Sequence, residues 1–577
     1  MRSKFIIRNI AAALVAAFLF ASAPISTRAA SPDPVRGKHA MVASQHELAS
    51  RIGVEVMKKG GNAVDAAIAV GIALAVVYPE AGNLGGGGFM LMRFKDGRAM
   101  SIDYREMAPA AAHRDIYIDK DGNLIRGEGG STVGYRASGV PGTLAGFEMA
   151  FRKYGSGKVK WSDLVEPSRR LAAEGYVLSN RLAVLLYAYR EWLAKYPDSN
   201  RIFLRNGKYY EEGELFKQPE LAETLGRISR DGAKEFYTGK TAQMIADDMK
   251  ANGGLITLAD LKNYVAKERT PLRGNYRGYE VISMPPPSSG GIVLLQVLNM
   301  LEGYDIRGMG PGSSAKLHVL AEAMRRSFAD RAEYMADPDF ADVPVMKLID
   351  KKYAGSRRST ILDNKATASK DVKWGDIKGS SEGTETTHFT VVDPEGNVVT
   401  NTYTINDLYG SRVAIKGTGI LMNDEMDDFA AQPGRPNLFG LVQGERNKVE
   451  GGKRPLSSMT PTIVMKKDGT PWFALGARGG PRIISAVLQT VINVIDHDMD
   501  IQEAIDSPRI HHQWLPDEIM YEPYGLSPDT KNILAGFGHT FVGRPGNIAS
   551  ATGIMIDNEG VRLGAIDARS DGMAVGY

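Results

Sequence analysis

The chain has 577 residues, 43% hydrophobic and 24% charged, with a formal net charge of +3 and no cysteine. That length and balance exclude a disordered chain and an integral membrane protein. The absence of cysteine excludes disulfides, a thiolate nucleophile and a cysteine zinc site, and the small charge argues against a nucleic-acid partner.

At the N-terminus Arg2, Lys4 and Arg8 precede the apolar run Ile10 to Phe20, with Ala21-Ser22-Ala23 and Arg28-Ala29-Ala30 as candidate cleavage sites. The stretch predicts a signal peptide over 1–30; the run is too short and too closely followed by Pro24 for a spanning helix. The expected location is therefore periplasmic or secreted, without stable membrane insertion. Residues 1–30 hold four basic groups and no acid, so cleavage there takes the charge from +3 to −1.

Glu47 to Lys59 has helical spacing of apolar residues and stops at Gly60-Gly61. Ala63 to Val77 is apolar nearly all round, which predicts a helix sandwiched inside the core. Gly85 to Gly88 lead into a hairpin, Phe89 to Phe94 and Met100 to Arg105, turning at Asp96-Gly97. From Val140 to about Ala336 the pattern is mostly helical: 141–154, 162–173, 181–196, 233–251, 291–301 and 314–336. The Pro285 to Gly291 stretch reads as a rigid loop, and 351–383, with few apolar anchors, as a mobile tether.

Next comes a second hairpin. Runs from Thr384 to Asp393 and from Val398 to Asn406 flank Pro394-Glu395-Gly396, where Pro suits the first turn position and Gly the left-handed one. If Asp393 faces Asn397, Thr386 faces Thr404 at the open end, roughly 4.5 to 5.5 Å away. Threonine pairs also occur in strands without any chemistry. Hairpins at 462–475 and 552–566 complete the pattern. Four hairpins with long helical cover predict an α+β fold, a four-layer αββα sandwich.

The run Thr386-Thr387-His388-Phe389-Thr390-Val391-Val392-Asp393, followed by Gly396-Asn397, Thr402-Tyr403-Thr404 and Asn406, resembles the processing site of the γ-glutamyltransferases, which are N-terminal-nucleophile hydrolases. The resemblance implies the αββα fold, with a large subunit 31–385 and a small subunit 386–577 interleaved from one precursor cut between Glu385 and Thr386. It implies cleavage of glutathione and related γ-glutamyl compounds through a γ-glutamyl ester on Thr386, with transfer to water, amino acids or peptides. The freed α-amino group, with an ordinary pKa of about 7.7 to 8, would serve as the base.

Residue by residue, the resemblance puts Arg105 on the substrate α-carboxylate, where the other reading is an ion pair with Glu106 or Asp103. Ser457 and Ser458 would add hydrogen bonds to that carboxylate, or else cap a loop. Asn406, Glu425 and Asp428 would hold the α-ammonium. Gly479 and Gly480 would form the oxyanion hole, or mark a tight turn. Thr404 would hydrogen-bond the nucleophile. No cofactor and no metal is implied: His388 reads as a packed residue and His511-His512 lacks a third ligand. In the loop from Pro433 to Gly440, Phe439 stands where a Tyr is expected. Two other readings remain: a glutaryl-cephalosporin-type acylase of the same fold, and an uncleaved periplasmic binding protein.

Overall fold

The computed structural model describes residues 31–375, 387–432, 435, 437–438, 440–442 and 444–577. The chain divides into Met1–Asp33 and Pro34–Tyr577, and every element below lies in the second unit.

The strands, in chain order, are β1 (Val35–Gly37), β2 (Met41–Ser44), β3 (Gly87–Arg93), β4 (Ala99–Tyr104), β5 (Lys267–Arg269), β6 (Leu272–Tyr276), β7 (Tyr279–Ser283), β8 (Thr387–Val392), β9 (Val398–Thr404), β10 (Thr462–Met465), β11 (Pro471–Arg478), β12 (Ser550–Ile556), β13 (Arg562–Ile566) and β14 (Met573–Gly576). Among the described residues they form two seven-stranded sheets of order β14-β2-β8-β9-β3-β4-β5 and β1-β13-β12-β11-β10-β7-β6. Each sheet mixes strands from before and after residue 386. Two minor two-stranded sheets lie outside this pair.

Alternation sorts the side chains of β8 and β9. Phe389, Val391, Val399 and Tyr403 join the core beneath the helices, whereas Val392 and Val398 join a core between the sheets with Met41, Leu91, Ile282, Ile463, Ala474 and Ile554. One outer layer is built on α1 (Glu47–Lys58), α2 (Ala63–Val77), α3 (Thr143–Tyr154) and α4 (Trp161–Glu174). All of α2 is buried, and its start is closed by an Asn62/Asp65 capping box, so its apolar sequence is accounted for by burial on every side. The other outer layer is built on α5 (Gly290–Leu301), α6 (Ser314–Tyr334), α7 (Arg482–His497) and α8 (Ile501–Asp506). These are the four layers αββα.

Some expectations are corrected. The region read as mostly helical holds a further hairpin, β6–β7, joined by Arg277-Gly278 with φ of 54° and 87°. Both turn residues are left-handed, which favours Asn-Gly, so an arginine there hides the turn. A helix at Pro219–Asp231 was also missed, and the expected helices at 181–196 and 233–251 are interrupted at Tyr189 and Gly239. The expected tether at 351–383 starts as a helix, Lys351–Arg358, and continues to a 3-10 turn at Ser369–Asp371; residues 376–383 lie outside the described residues. Its anchoring is polar: the Arg326 guanidinium donates to the Thr360 oxygens and to Thr367 Oγ1, which is why apolar spacing did not reveal it.

Candidate active site

The β8–β9 ladder pairs Thr387 with Tyr403 and Val392 with Val398, and Asp393 N–H donates to Asn397 O at 3.1 Å. Gly396 has φ of 87°, and the Asp393 carboxylate accepts the N–H groups of Glu395 and Asn397 at 2.9 Å each. The expected register holds as far as Thr387. Glu385 and Thr386 lie outside the described residues, as does Phe439.

On its other side Thr404 pairs with Gly87 of β3, and Gly88 pairs with Tyr104 of β4. A Cβ on Gly87 would lie 2.4 Å from Tyr104 O and 2.9 Å from Glu106 Cδ. Only glycine allows that approach, and it sets Arg105 and Glu106 within about two strand spacings, ~10 Å, of Thr404. Thr404 Oγ1 accepts Asn406 N–H at 2.8 Å, Asn406 is held at φ of 73°, and its Nδ2 donates to Asp424 O at 3.0 Å.

The facing sheet supplies the next part. Thr400 Oγ1 donates to Leu475 O at 3.3 Å, and the His388 ring lies over Gly476, where a Cβ would come within 2.4 Å of it. Since His388 pairs with Thr402, β11 runs toward the Thr404 end, and Gly479-Gly480 follow it there. Their φ values are 133° and 63°, and neither N–H donates to a backbone carbonyl among the described residues. Pro481 then starts α7. Burial pushes His388 down to about 3, and its ring nitrogens meet the hydroxyls of Thr402, Thr390 and Thr400 at 2.8 to 3.1 Å. A neutral ring so engaged is a packing element.

Glu425–Asp428 is a 3-10 turn braced by Asn423, which accepts Glu425 N–H at 3.0 Å and donates to Gly85 O and Gly139 O. The brace aims two carboxylates at Arg105. The Arg105 guanidinium binds Glu425 and Asp428, meets Glu106 at 3.3 Å, and donates from Nε to Pro455 O at 3.0 Å; all four charged side chains are fully buried. Burial works against the Arg105 charge, but the three carboxylates outweigh it and hold the pKa above its usual value. Burial pushes Glu106 up to about 7 and Glu425 well above its ordinary range, with Arg105 opposing in both cases. Arg105 and the two residues expected to bind the opposite end of a zwitterion are therefore paired with one another.

Pro455 leads into Ser457 and Ser458, both fully buried. Ser457 N–H donates to Pro287 O at 2.8 Å, Ser289 N–H donates to Ser457 O at 2.7 Å, and Ser457 Oγ accepts Met459 N–H at 3.2 Å. The proline-rich loop before α5 is thus a brace for the serine pair. His511 bonds Ser485 and Gln513, and among the described residues no group of three His, Asp or Glu side chains is placed to hold a metal ion. Sequence reasoning missed Asn423, Arg331 and the Ser288-Ser289 brace, whose tertiary partners lie 42 to 338 positions away and leave no local signal.

A family model described as Gamma-glutamyltranspeptidase matches residues 49–577. A glutathione hydrolase proenzyme of Pseudomonas sp. (strain A14) is 46% identical over 562 residues, covering 96% of both chains. That of Escherichia coli (strain K12) is 47% identical over 546 residues, covering 94% of this chain and 93% of its own. A solved cephalosporin acylase from Bacillus halodurans matches with a TM-score of 0.83 at 26% identity, covering 96% of this chain and 99% of that one.

Proposed function

The chain belongs to the gamma-glutamyltranspeptidase family, and we propose that it is a self-processing enzyme in which Thr386, freed by cleavage after Glu385, is the nucleophile. Before cleavage the Thr386 hydroxyl attacks the Glu385 carbonyl, and water opens the resulting ester. Afterwards the α-amino group takes the hydroxyl proton as Thr386 attacks the γ-carbonyl of glutathione or a related γ-glutamyl compound. The amine of the leaving group departs with a proton, and water or the amino group of an acceptor releases the γ-glutamyl unit. Gly479 and Gly480 N–H groups stabilise the tetrahedral oxyanion, each such donor being worth about 2.7 to 4 kcal/mol of barrier.

In this reading Thr404 positions the nucleophile, Arg105 with Ser457 and Ser458 takes the α-carboxylate, and Asn406, Glu425 and Asp428 take the α-ammonium. The observation that carries it is the cluster of Arg105, Glu425 and Asp428 at the Thr404 end of the sheet: opposite charges already matched are the complement of a zwitterionic head group. Supporting the subunit division 31–385 and 386–577, both sheets draw strands from each piece. The signal-peptide reading of residues 1–30 supports a periplasmic or secreted enzyme; no helix among the described residues is long and apolar enough to cross a membrane.

Denaturing electrophoresis with N-terminal sequencing is the test. Two fragments are expected, the smaller beginning at Thr386, and a single uncut chain in Thr386→Ala; an uncut, fully active wild type would sink the proposal. The acylase likeness supports a second reading, with a glutaryl side chain as substrate. Such a side chain lacks the ammonium that Glu425 and Asp428 would bind, so faster turnover of a γ-glutamyl than a glutaryl anilide is expected.

A further inference from the structure

Helix α6 carries Arg331, which is 1% exposed and lies behind the serine pair. Its Nε donates to Ser289 Oγ at 2.8 Å and its Nη2 to Ser458 Oγ at 2.8 Å. Two nitrogens on one edge of a planar group thus span two hydroxyls, a geometry that lysine cannot reproduce.

A guanidinium only donates, whereas a hydroxyl has one proton to give and two lone pairs. Both serine oxygens therefore accept from Arg331, and each hydroxyl proton must turn away from it. For Ser289 the proton goes to Ser457 O at 2.8 Å. For Ser458 no acceptor is present among the described residues, although the side chain is fully buried. A buried O–H whose orientation is set by a cation, and whose donor strength that cation raises, is ready for an anionic acceptor.

We propose that Arg331 is a positioning residue for substrate recognition. By donating to Ser458 Oγ it turns the Ser458 O–H toward the substrate α-carboxylate, and through Ser289 it fixes the Ser457–Ser458 peptide. This rests on the reading of Ser457 and Ser458 as carboxylate ligands. Arg331 precedes the cleavage point and Ser458 follows it, so the contact also ties carboxylate recognition in one subunit to a helix of the other.

The test uses the full mature enzyme and two substrates, γ-glutamyl-p-nitroanilide and its analogue with an α-carboxamide in place of the α-carboxylate. Arg331→Gln should raise KM for the carboxylate substrate about tenfold, leave kcat within about twofold, and leave KM for the carboxamide nearly unchanged. Combined with Ser458→Ala the KM effects should be less than additive, because the two share the Ser458 route, and Arg331→Lys should fall between wild type and Arg331→Gln. Additive KM effects, or equal losses on both substrates, would show a merely structural clamp and overturn the inference. If Ser458→Ala raises KM but Arg331→Gln does not, this inference alone fails; if Ser458→Ala leaves KM unchanged, the serine-pair reading fails and takes the inference with it. Should Arg331→Gln yield no cleaved enzyme, Ser289→Ala replaces it. A KM rise confined to the carboxylate substrate supports the proposal, and an unchanged ratio of the two KM values overturns it.

Discussion

The Arg105 guanidinium and the Asp428 carboxylate form an ion pair with both side chains 0% exposed, joining residues 323 positions apart. Removing two charges from water costs more than a salt bridge returns unless further groups complete the geometry. Here Glu425 and Glu106 share the same cation. In the proposed function a zwitterionic head group would replace each half of this arrangement with its own, so that binding would exchange one set of buried ion pairs for another.

Replacing the cation should expose that dependence. In Arg105→Gln three buried carboxylates lose their common partner, and a loss of about 3 to 5 kcal/mol of stability is expected, read as a lowered Tm. Arg105→Lys keeps the charge but not the fork, so its KM should rise about tenfold or more while Tm falls less. Wild-type KM in Arg105→Lys would contradict bidentate recognition.

Thr404→Val removes the hydroxyl that accepts Asn406 N–H at 2.8 Å while keeping the side-chain volume. Leaving that buried donor unsatisfied costs about 1 to 3 kcal/mol, at a residue already held at φ of 73°. Slower self-cleavage on a gel time course, or a lowered kcat, is the expected result; unaltered rates in both assays would refute the role given to Thr404.

Burial pushes the Asp427 carboxyl up to about 6, against hydrogen bonds from Ser131 Oγ at 2.6 Å and Leu438 N–H at 3.1 Å. A carboxyl whose folded pKa lies above its ordinary 3.8 holds its proton more tightly when folded. Its contribution is therefore most favourable below about pH 4, declines by on the order of 3 kcal/mol as pH rises through about 6, and is level above that. Asp427→Asn should flatten the fall of Tm across that window. Equal slopes for the two proteins would show that another group titrates there.

Gly290 opens α5 where the proline-rich loop meets the serine segment, and a Cβ there would lie 2.2 Å from Thr460 Oγ1 and 2.8 Å from Met459 O. Gly290→Ala has to push the 458–460 strip aside, with a stability loss of about 1 to 3 kcal/mol and a raised KM for γ-glutamyl substrate. A mutant whose Tm and KM both match wild type would mean that the strip moves without cost.

Much of the fold was legible locally. The Pro394-Glu395-Gly396 turn set the β8–β9 register through Thr387, because turn chemistry and a period of two leave no other alignment that keeps Phe389 and Val391 on one face. The all-apolar Ala63–Val77 segment declared itself a central helix for the same kind of reason. Where the turn carried an arginine, at Arg277-Gly278, the hairpin went unseen.

The chain by itself determined the element order around residues 386–406, the residue types at the site and the family to which they belong, since these depend on short-range spacing. Only the folded structure decided that Arg105 is matched by Glu425 and Asp428, that Gly87 lets Glu106 pack against the strand paired with Thr404, and that Arg331 reaches Ser458 from 127 positions away. Those contacts join a helix, a 3-10 turn and loops to the ends of strands, and no pattern along one strand or one helix records which distant residue will arrive opposite it.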